Sequence, residues 1–250
     1  GGAQRLTLAE LEAMEILAVR GGAMFEHGHE HGTKHGDDDH GHDHGDDEHG
    51  HDDHGHDHGH DEHDEHGHGH DDHAHEAGEP DPHLWLDPVN AAAALDAIAE
   101  ALAGLDPDNA ARYRDNASEA RAALEARRED VAARLDPVRD RRFLVFHDAY
   151  HYFEHRFGVE ASGAIALSDA ATPGAGRLAE LRERLEAEDI ACVFAEPQFP
   201  QDLVGTLTDG TAVRVAVLDP LGADLEPGPD LYPRLLDDIA DSMTGCLGGV

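Results

Sequence analysis

FLVFH at residues 143–147, IACVFAE at residues 190–196 and VRVAVLD at residues 213–219 are apolar runs that each end in a polar side chain. Each run is typical of a buried strand. Between the first two runs, residues 174–188 have leucines at spacings of three and four, which predicts a helix. Strands that alternate with helices indicate a parallel sheet with helices on both faces, so we expect an α/β fold.

The polar side chains that close these runs are His147, Glu196 and Asp219. Ligands bind at the carboxyl ends of the strands in sheets of this kind, so the three side chains are expected to form one site. After Pro137 we predict strands at 143–146, 159–166, 190–195 and 213–218, and helices at 148–156, 174–188, 200–209 and 230–243.

The part of the chain ahead of this sheet contains two ordered stretches. Residues 5–20 should form a short helix or turn and then a strand at 16–19. Residues 81–88, DPHLWLDP, are bounded by prolines and predict a strand end or turn that leads into a helix at 89–104.

Asp106 and Pro107 mark the start of a second helix, with Asp as N-cap and Pro in the first turn. This helix is predicted to continue to about residue 135, which makes it roughly 42 Å long at 1.5 Å per residue. A helix of that length fits a spine that joins two lobes.

The composition excludes several classes of function. The chain has 250 residues, 55 of them acidic and 18 basic, and a formal charge of −37. Binding nucleic acid through its phosphates requires clustered lysines and arginines, and anionic membranes are disfavoured for the same reason. The sequence has no run of 18 apolar residues, so we expect no transmembrane helix. Its two cysteines are too few for a cysteine-rich zinc site but suffice for one disulfide.

Residues 27–79, here called the histidine-rich tract, consist mainly of His, Asp, Glu and Gly, and hold 19 of the 23 histidines. They contain almost nothing that packs a core, so we expect disorder without ligand. Neutral imidazoles and carboxylates bind Zn²⁺, which predicts several weak and poorly selective sites. The alternative is a solvated acidic linker. The auxiliary ligands are assigned to His27, His29, His31, His40, His42, His44, His49, His51, His54, His56, His58, His60, His63, His66, His68, His70, His73 and His75.

Three residues outside the tract are candidate metal ligands, namely His83, His147 and Asp219. The alternative for His83 is a core histidine with satisfied hydrogen bonds. The alternative for Asp219 is a turn former before Pro-Leu-Gly.

His147 and His151 are four residues apart, as are the histidines of HExxH zinc proteases. Position 148 is Asp, which is one methylene too short to act as the usual general base, and no further ligand follows at helical spacing. We therefore expect no protease, and we expect His151 and His155 to be exposed helix residues. Glu196 is the one acid near the strand ends that a metalloenzyme of another kind would use as base. We expect it instead beside the ligands or facing solvent.

DPHLWLDP at 81–88, FHDAYHYFE at 146–154 and LDPLG at 218–222 occur in that order, with the charged spine helix between the first two. The set resembles the solute-binding proteins of zinc-uptake ABC transporters, a metal-binding family with manganese-specific relatives. The resemblance covers nearly the whole chain. It implies a non-enzymatic, monomeric protein that captures Zn²⁺ in the periplasm and delivers it to a membrane permease and its ATPase. The histidine-rich tract would collect zinc or sense its excess.

The resemblance also implies the ligands of one high-affinity site. The family's ligand positions fall on His83, His147 and Asp219, of which the carboxylate is the less consistent ligand in zinc-specific members. The family places a further histidine ligand in the first lobe. Residues 1–26 contain no histidine, so that fourth ligand is absent from this chain.

The family fold has two α/β lobes joined by one long helix, and only part of the first lobe is expected here. Because the chain has no initiator Met and begins in mid-domain sequence, the rest of that lobe and a signal peptide are expected upstream. The resemblance divides the chain into the C-terminal part of the first lobe (1–26), the disordered tract (27–79), the end of the first lobe (80–106), the spine helix (107–137) and the complete second lobe (138–250).

Cys192 and Cys246 match the places of a second-lobe disulfide in zinc-type members of the family. Such a bond stabilises by ~4 kcal/mol in the chain-entropy model and persists only in an oxidising compartment. The alternative is a pair of buried free thiols.

A different class of function also accounts for the composition. In a periplasmic zinc storage or chaperone protein the histidine-rich tract is the working part and the folded region is a scaffold. That alternative predicts high zinc capacity but no tight single site.

Overall fold

The computed structural model describes residues 4–21, 25, 78–166 and 173–249. The histidine-rich tract, apart from its last two residues, lies outside this part of the chain, and with it the auxiliary metal ligands. The expected division into lobes stays a prediction.

In chain order the helices are α1 (Pro88–Leu105), α2 (Ala110–Leu135), α3 (His151–Phe157), α4 (Ala175–Ala187), α5 (Gln201–Thr208) and α6 (Leu231–Leu247). The strands are β1 (Phe143–Val145), β2 (Gly163–Ala164), β3 (Cys192–Ala195) and β4 (Arg214–Val217). Short 3₁₀ turns lie at Leu8–Glu10, Leu84–Leu86, Pro107–Asn109 and Asp136–Val138.

The four strands form one sheet in the order β2-β1-β3-β4, and every neighbouring pair is parallel. This confirms the parallel sheet predicted from the alternation of strands and helices. All four carboxyl ends therefore lie along one edge of the sheet, which is where the polar residues after β1, β3 and β4 are placed.

Helices cover both faces of the sheet, as predicted. Because successive strand residues point to opposite faces, Phe143 and Val145 belong to one core cluster and Leu144 and Phe146 to the other. Helices α2, α3 and α6 contribute to the first cluster, and α4 and α5 to the second.

Helices α1 and α2 confirm the two predicted helices ahead of the sheet, but the predicted start of the second at Asp106 and Pro107 is wrong. Residues Pro107–Asn109 form a 3₁₀ turn before α2, and the Asp106 carboxylate accepts from the side chains of Asn109 and Tyr113 instead of capping the helix. The carboxylate of Asp87 accepts the backbone N–H of Val89 at 2.8 Å and so caps α1. Helix α2 has 26 residues and is about 39 Å long. Its buried residues are Ala117, Leu124, Val131 and Leu135, spaced seven, seven and four apart. Only one narrow stripe of this helix is therefore covered by the core.

The expectation of no membrane-spanning segment needs qualification at α1. This helix has 18 residues and a mean hydropathy of 1.2, which meets a length and composition criterion for a span. However, both of its acidic side chains pair with arginines of α2. Asp96 lies 2.9 Å from Arg121 and Glu100 lies 2.6 Å from Arg114. Helix α1 thus lies alongside α2, and arginines of α2 neutralise both of its acidic side chains.

A disulfide joins Cys192 in β3 to Cys246 in α6, as the resemblance implied. Both cysteines of the chain are used in it. The bond attaches the last helix to the middle of the sheet.

Candidate metal centre

The side chain of Asp81, two residues earlier in the chain, holds His83 in position. Asp81 Oδ1 accepts the backbone N–H of His83 at 2.9 Å and lies 2.7 Å from its ring Nδ1. This short turn, closed by an Asp side chain, stands immediately before the 3₁₀ turn Leu84–Leu86. The His83 side chain is 12% exposed, so one edge of its ring remains accessible.

The carboxylate of Asp81 is buried and also serves a second histidine. Its Oδ2 lies 3.7 Å from Nδ1 of His151. Burial alone would raise the pKa of Asp81, but the neighbouring imidazoles of His151 and His83 outweigh this effect and lower the pKa to about 2. Asp81 is therefore an anion at neutral pH that faces two imidazoles.

His147 follows β1 and Glu196 follows β3, the neighbouring strand, so the parallel register brings them together at the carboxyl edge. Glu196 Oε1 accepts the backbone N–H of His147 at 3.2 Å and lies 2.7 Å from its Nδ1. Glu196 is fully buried beside His147, one of the two positions expected for it, so the solvent-facing alternative is wrong.

The imidazoles of His83 and His147 meet edge to face, with ring centroids 5.4 Å apart. Each ring also has an aromatic neighbour, Trp85 beside His83 and Phe199 beside His147, both at 5.3 Å. A zinc ion bound at ~2.0 Å from Nε2 lies roughly 3 Å from the ring centroid, so two tetrahedral imidazole ligands have centroids about 5 Å apart. The observed separation suits one shared ion.

Asp219 follows β4 at the same edge but is occupied by other partners. Its Oδ1 accepts from Nε2 of Gln198 at 2.6 Å and from the backbone N–H of Leu221 at 3.0 Å. Its Oδ2 accepts from the backbone N–H of Ala223 at 2.6 Å. Asp219 therefore forms the turn that the sequence suggested as the alternative to metal binding.

Trp85 connects the segment of Asp219 to His83. Trp85 Nε1 donates to the carbonyl of Pro220 at 3.0 Å. Burial raises the pKa of Tyr150, and the negative charges of Glu196 and Asp219 raise it further.

Among the described residues, no three His, Cys, Asp or Glu side chains form a ready-made metal site. The fold brings His83 and His147 together and leaves the Asp219 carboxylate in its turn. A complete coordination shell needs a movement of Asp219, a water, or a ligand from elsewhere in the protein.

The remaining histidine pattern does not build a protease site. Asp148 is engaged by Arg20, whose Nε lies 3.0 Å from Oδ2, so it is not available as a base. His155 is half exposed and pairs with Glu15 at 3.0 Å, as its predicted surface position allows. His151 is less exposed than predicted because it turns toward Asp81.

Comparison with known proteins places this arrangement in a family. The family model described as zinc-uptake complex component A, periplasmic, or ZnuA, matches residues 7–246. The chain belongs to the ZnuA family. The resemblance stated from the three sequence motifs is thereby confirmed.

Curated proteins named ZnuA align with about two thirds of this chain. The high-affinity zinc uptake system protein ZnuA of Brucella abortus is 44% identical over 170 residues, which cover 68% of this chain and 51% of the relative. The protein of that name from Paracoccus denitrificans is 41% identical over 169 residues, 67% of this chain and 52% of its own length. This chain thus spans about half the length of the curated relatives it matches.

Solved structures of metal-binding solute-binding proteins have a fold similar to that of this chain. A crystal structure of ZnuA is similar with a TM-score of 0.57 and 29% identity, over 66% of this chain and 63% of the other. The solute-binding protein FpvC of Pseudomonas aeruginosa in complex with Mn²⁺ has a TM-score of 0.62 and 26% identity, over 70% and 63%. The predicted fold class is therefore confirmed.

Proposed function

We propose that this chain is the Zn²⁺-capturing part of an ABC importer's solute-binding protein. The observation that carries the proposal is the pair His83 and His147, whose rings converge at 5.4 Å at the carboxyl edge of the sheet. The zinc-uptake names of its ZnuA relatives agree with this chemistry. As a carrier the protein binds and releases an ion and catalyses no reaction.

In this proposal His83 and His147 bind zinc through Nε2, and Asp219 is the weaker third ligand. A histidine of the first lobe would complete the shell. Two or three imidazoles in a tetrahedral arrangement favour Zn²⁺ over Mn²⁺, which prefers more oxygen ligands.

The partner in this proposal is a membrane permease with its ATPase, and the compartment is the periplasm. The Cys192–Cys246 disulfide supports an oxidising compartment. The long helix α2 restricts large hinge motions between lobes, so zinc release on docking would proceed through small loop or lobe shifts.

The histidine-rich tract is proposed to collect zinc near the ordered site or to sense its excess. Nineteen histidines tethered to one site raise the local zinc concentration through effective molarity. Weak ligation suits this role, because the tract must give its ions up to the tighter site.

The test is a chelator-competition zinc titration on the chain with residues 27–77 replaced by a short Gly-Ser linker. Residues 78 and 79 are kept because Gly78 donates to the carbonyl of Val19 and Glu79 accepts from its N–H. We expect one site that is tighter than any in the tract, and we expect His147→Ala to weaken it at least a hundredfold. If the deletion abolishes all but weak binding, the storage or chaperone alternative replaces this proposal.

A further inference from the structure

His83 and His147 are each held by a buried carboxylate in the same way. One oxygen of Asp81 accepts the backbone N–H of His83 at 2.9 Å and lies 2.7 Å from its ring Nδ1. One oxygen of Glu196 does the same for His147, at 3.2 and 2.7 Å. The arrangement thus occurs twice, on histidines that belong to different segments of the chain, and both carboxylates are excluded from solvent.

This geometry determines where each imidazole carries its proton. A neutral imidazole has one N–H and one lone pair, whereas a carboxylate offers only acceptors. The proton therefore lies on Nδ1 in both rings and the metal-binding lone pair on Nε2. The second bond, from the backbone N–H, fixes each carboxylate relative to the main chain, so the orientation of the ring is set as well as its tautomer.

We propose that Asp81 and Glu196 are positioning residues that hold both imidazoles in the Nε2-accepting tautomer before zinc arrives, a role that rests on the zinc-binding function proposed above. Turning either ring breaks its carboxylate hydrogen bond. The loss of side-chain freedom therefore occurs during folding rather than on binding, and the site gains affinity from that preorganisation.

His155 provides a contrast within the same protein. It pairs with Glu15 through Nε2 rather than Nδ1, at 3.0 Å, and both side chains are about half exposed. Loss of this pair leaves His83 and His147 untouched. Glu15→Gln is therefore the matched control for a carboxylate removed from a histidine that is not a proposed ligand.

Two substitutions of Glu196 separate position from charge. Glu196→Asp keeps the charge but is one methylene too short to reach Nδ1. Glu196→Gln loses the charge but keeps an acceptor at the same distance. If Glu196 acts by position, Glu196→Asp should lose more zinc affinity than Glu196→Gln. If it acts only through its charge, Glu196→Gln should lose more.

The first readout needs no zinc. Long-range ¹H–¹⁵N correlation spectra of the zinc-free full chain report the tautomer of each histidine, with His147→Gln and His83→Gln used to assign the two signals. We expect the Nδ1–H tautomer for both histidines in the parent chain. We expect a mixture at His147 alone in Glu196→Asp, one tautomer in Glu196→Gln, and no change in Glu15→Gln. A single Nδ1–H tautomer in Glu196→Asp overturns the proposal.

The second readout is zinc affinity at the site that His147→Ala removes, measured by chelator competition. We expect Glu196→Asp to weaken it tenfold to a hundredfold, Glu196→Gln to weaken it less, and Glu15→Gln to change it less than twofold. A larger loss in the Gln variant overturns the proposal. If the parent has no such site, the proposed function fails while the tautomer result still decides the positioning role. If Glu196→Asp does not fold, Asp81→Asn and Asp81→Glu make the same comparison at His83.

Discussion

Arg20 is the residue on which a buried network of charges depends. Its guanidinium bonds to Asp148 and, at 2.7 Å, to the fully buried Glu154, and it lies 3.8 Å above the ring of Phe25. Burial would lower the pKa of Arg20, but the charges of Glu154 and Asp148 raise it. The side chain is therefore held as a cation between two acids, next to the turn that carries His147.

We predict that Arg20→Ala destabilises the protein by about 3–5 kcal/mol, because it leaves the buried Glu154 carboxylate without its arginine partner and with the backbone N–H of Ala161 as its remaining donor. Chemical denaturation followed by circular dichroism measures the loss. Arg121→Ala is the matched control, since its pair with Asp96 is more than half exposed and should contribute little. Adding Glu154→Gln to Arg20→Ala should restore part of the stability, and an unchanged or larger loss in the double variant contradicts this account.

Asp81 makes stability depend on pH in a defined window. Its pKa is lowered to about 2 in the folded protein from 3.8, so the native state favours the charged form. The contribution, about 2 kcal/mol, is complete above pH 4 and is lost as pH falls from 4 toward 2. In zinc-free protein, Asp81→Asn should flatten the stability profile over that interval. An unchanged slope between pH 4 and 2 would show that other carboxylates set it.

Asp219 has a structural role that is separable from ligation. We predict that Asp219→Ala lowers stability by about 1–2 kcal/mol through loss of its turn hydrogen bonds. We also predict a smaller loss of zinc affinity than His147→Ala causes. Denaturation and chelator competition on the same two variants test both statements. An affinity loss in Asp219→Ala equal to that of His147→Ala would make the carboxylate a full ligand.

Sequence patterns pointed to the two histidines that the fold brings together but not to all of the residues that hold them. His83 and His147 stand out by type and by their place after strand-like or proline-bounded runs, and Glu196 by its place after β3. Asp81 and Gln198 carry no such signal, because their roles depend on a turn and on a contact between loops. The aspartate two residues before His83 is the one local clue, since Asp commonly bonds to the backbone two residues later.

The disulfide is the strongest single connection between two elements, β3 and α6. We predict that reduction lowers the free energy of unfolding by about 4 kcal/mol, because a loop of 54 residues is no longer closed in the unfolded chain. Denaturation with and without reductant measures the difference. A variant with Cys192→Ala and Cys246→Ala should be insensitive to reductant. Equal sensitivity in that variant would assign the effect to something other than this bond.

Two of the elements that the sequence misplaced are interrupted by hydrogen bonds outside the strand and helix patterns. The strand predicted at 16–19 is a single bridge between Ala18 and Pro80, because the Tyr152 hydroxyl takes the place of the next rung: it accepts the N–H of Leu17 and donates to the carbonyl of Asp81. The helix predicted from 148 begins only at His151, because residues 147 and 148 are committed to Glu196 and Arg20. The strand predicted at 159–166 has regular pairing only at Gly163–Ala164.

At the scale of the whole molecule, charge is the dominant property. Residues 26–80 hold 20 acids and one base, so they account for −19 of the net −37. We predict that raising NaCl from about 50 to about 500 mM increases the Tm of the zinc-free protein, because salt screens the self-repulsion. Thermal melts should show a smaller increase when residues 27–77 are replaced by a linker. A Tm that falls with salt would mean that ion pairs outweigh the repulsion.

The chain contains one tryptophan, Trp85. Its ring lies 5.3 Å from His83 and its Nε1 bonds to the carbonyl next to Asp219. Fluorescence excited at the long-wavelength end of the aromatic absorption therefore comes from Trp85 alone. The protein carries an intrinsic optical probe between two of its proposed ligands, so events at the metal site can be followed in real time without attaching a dye.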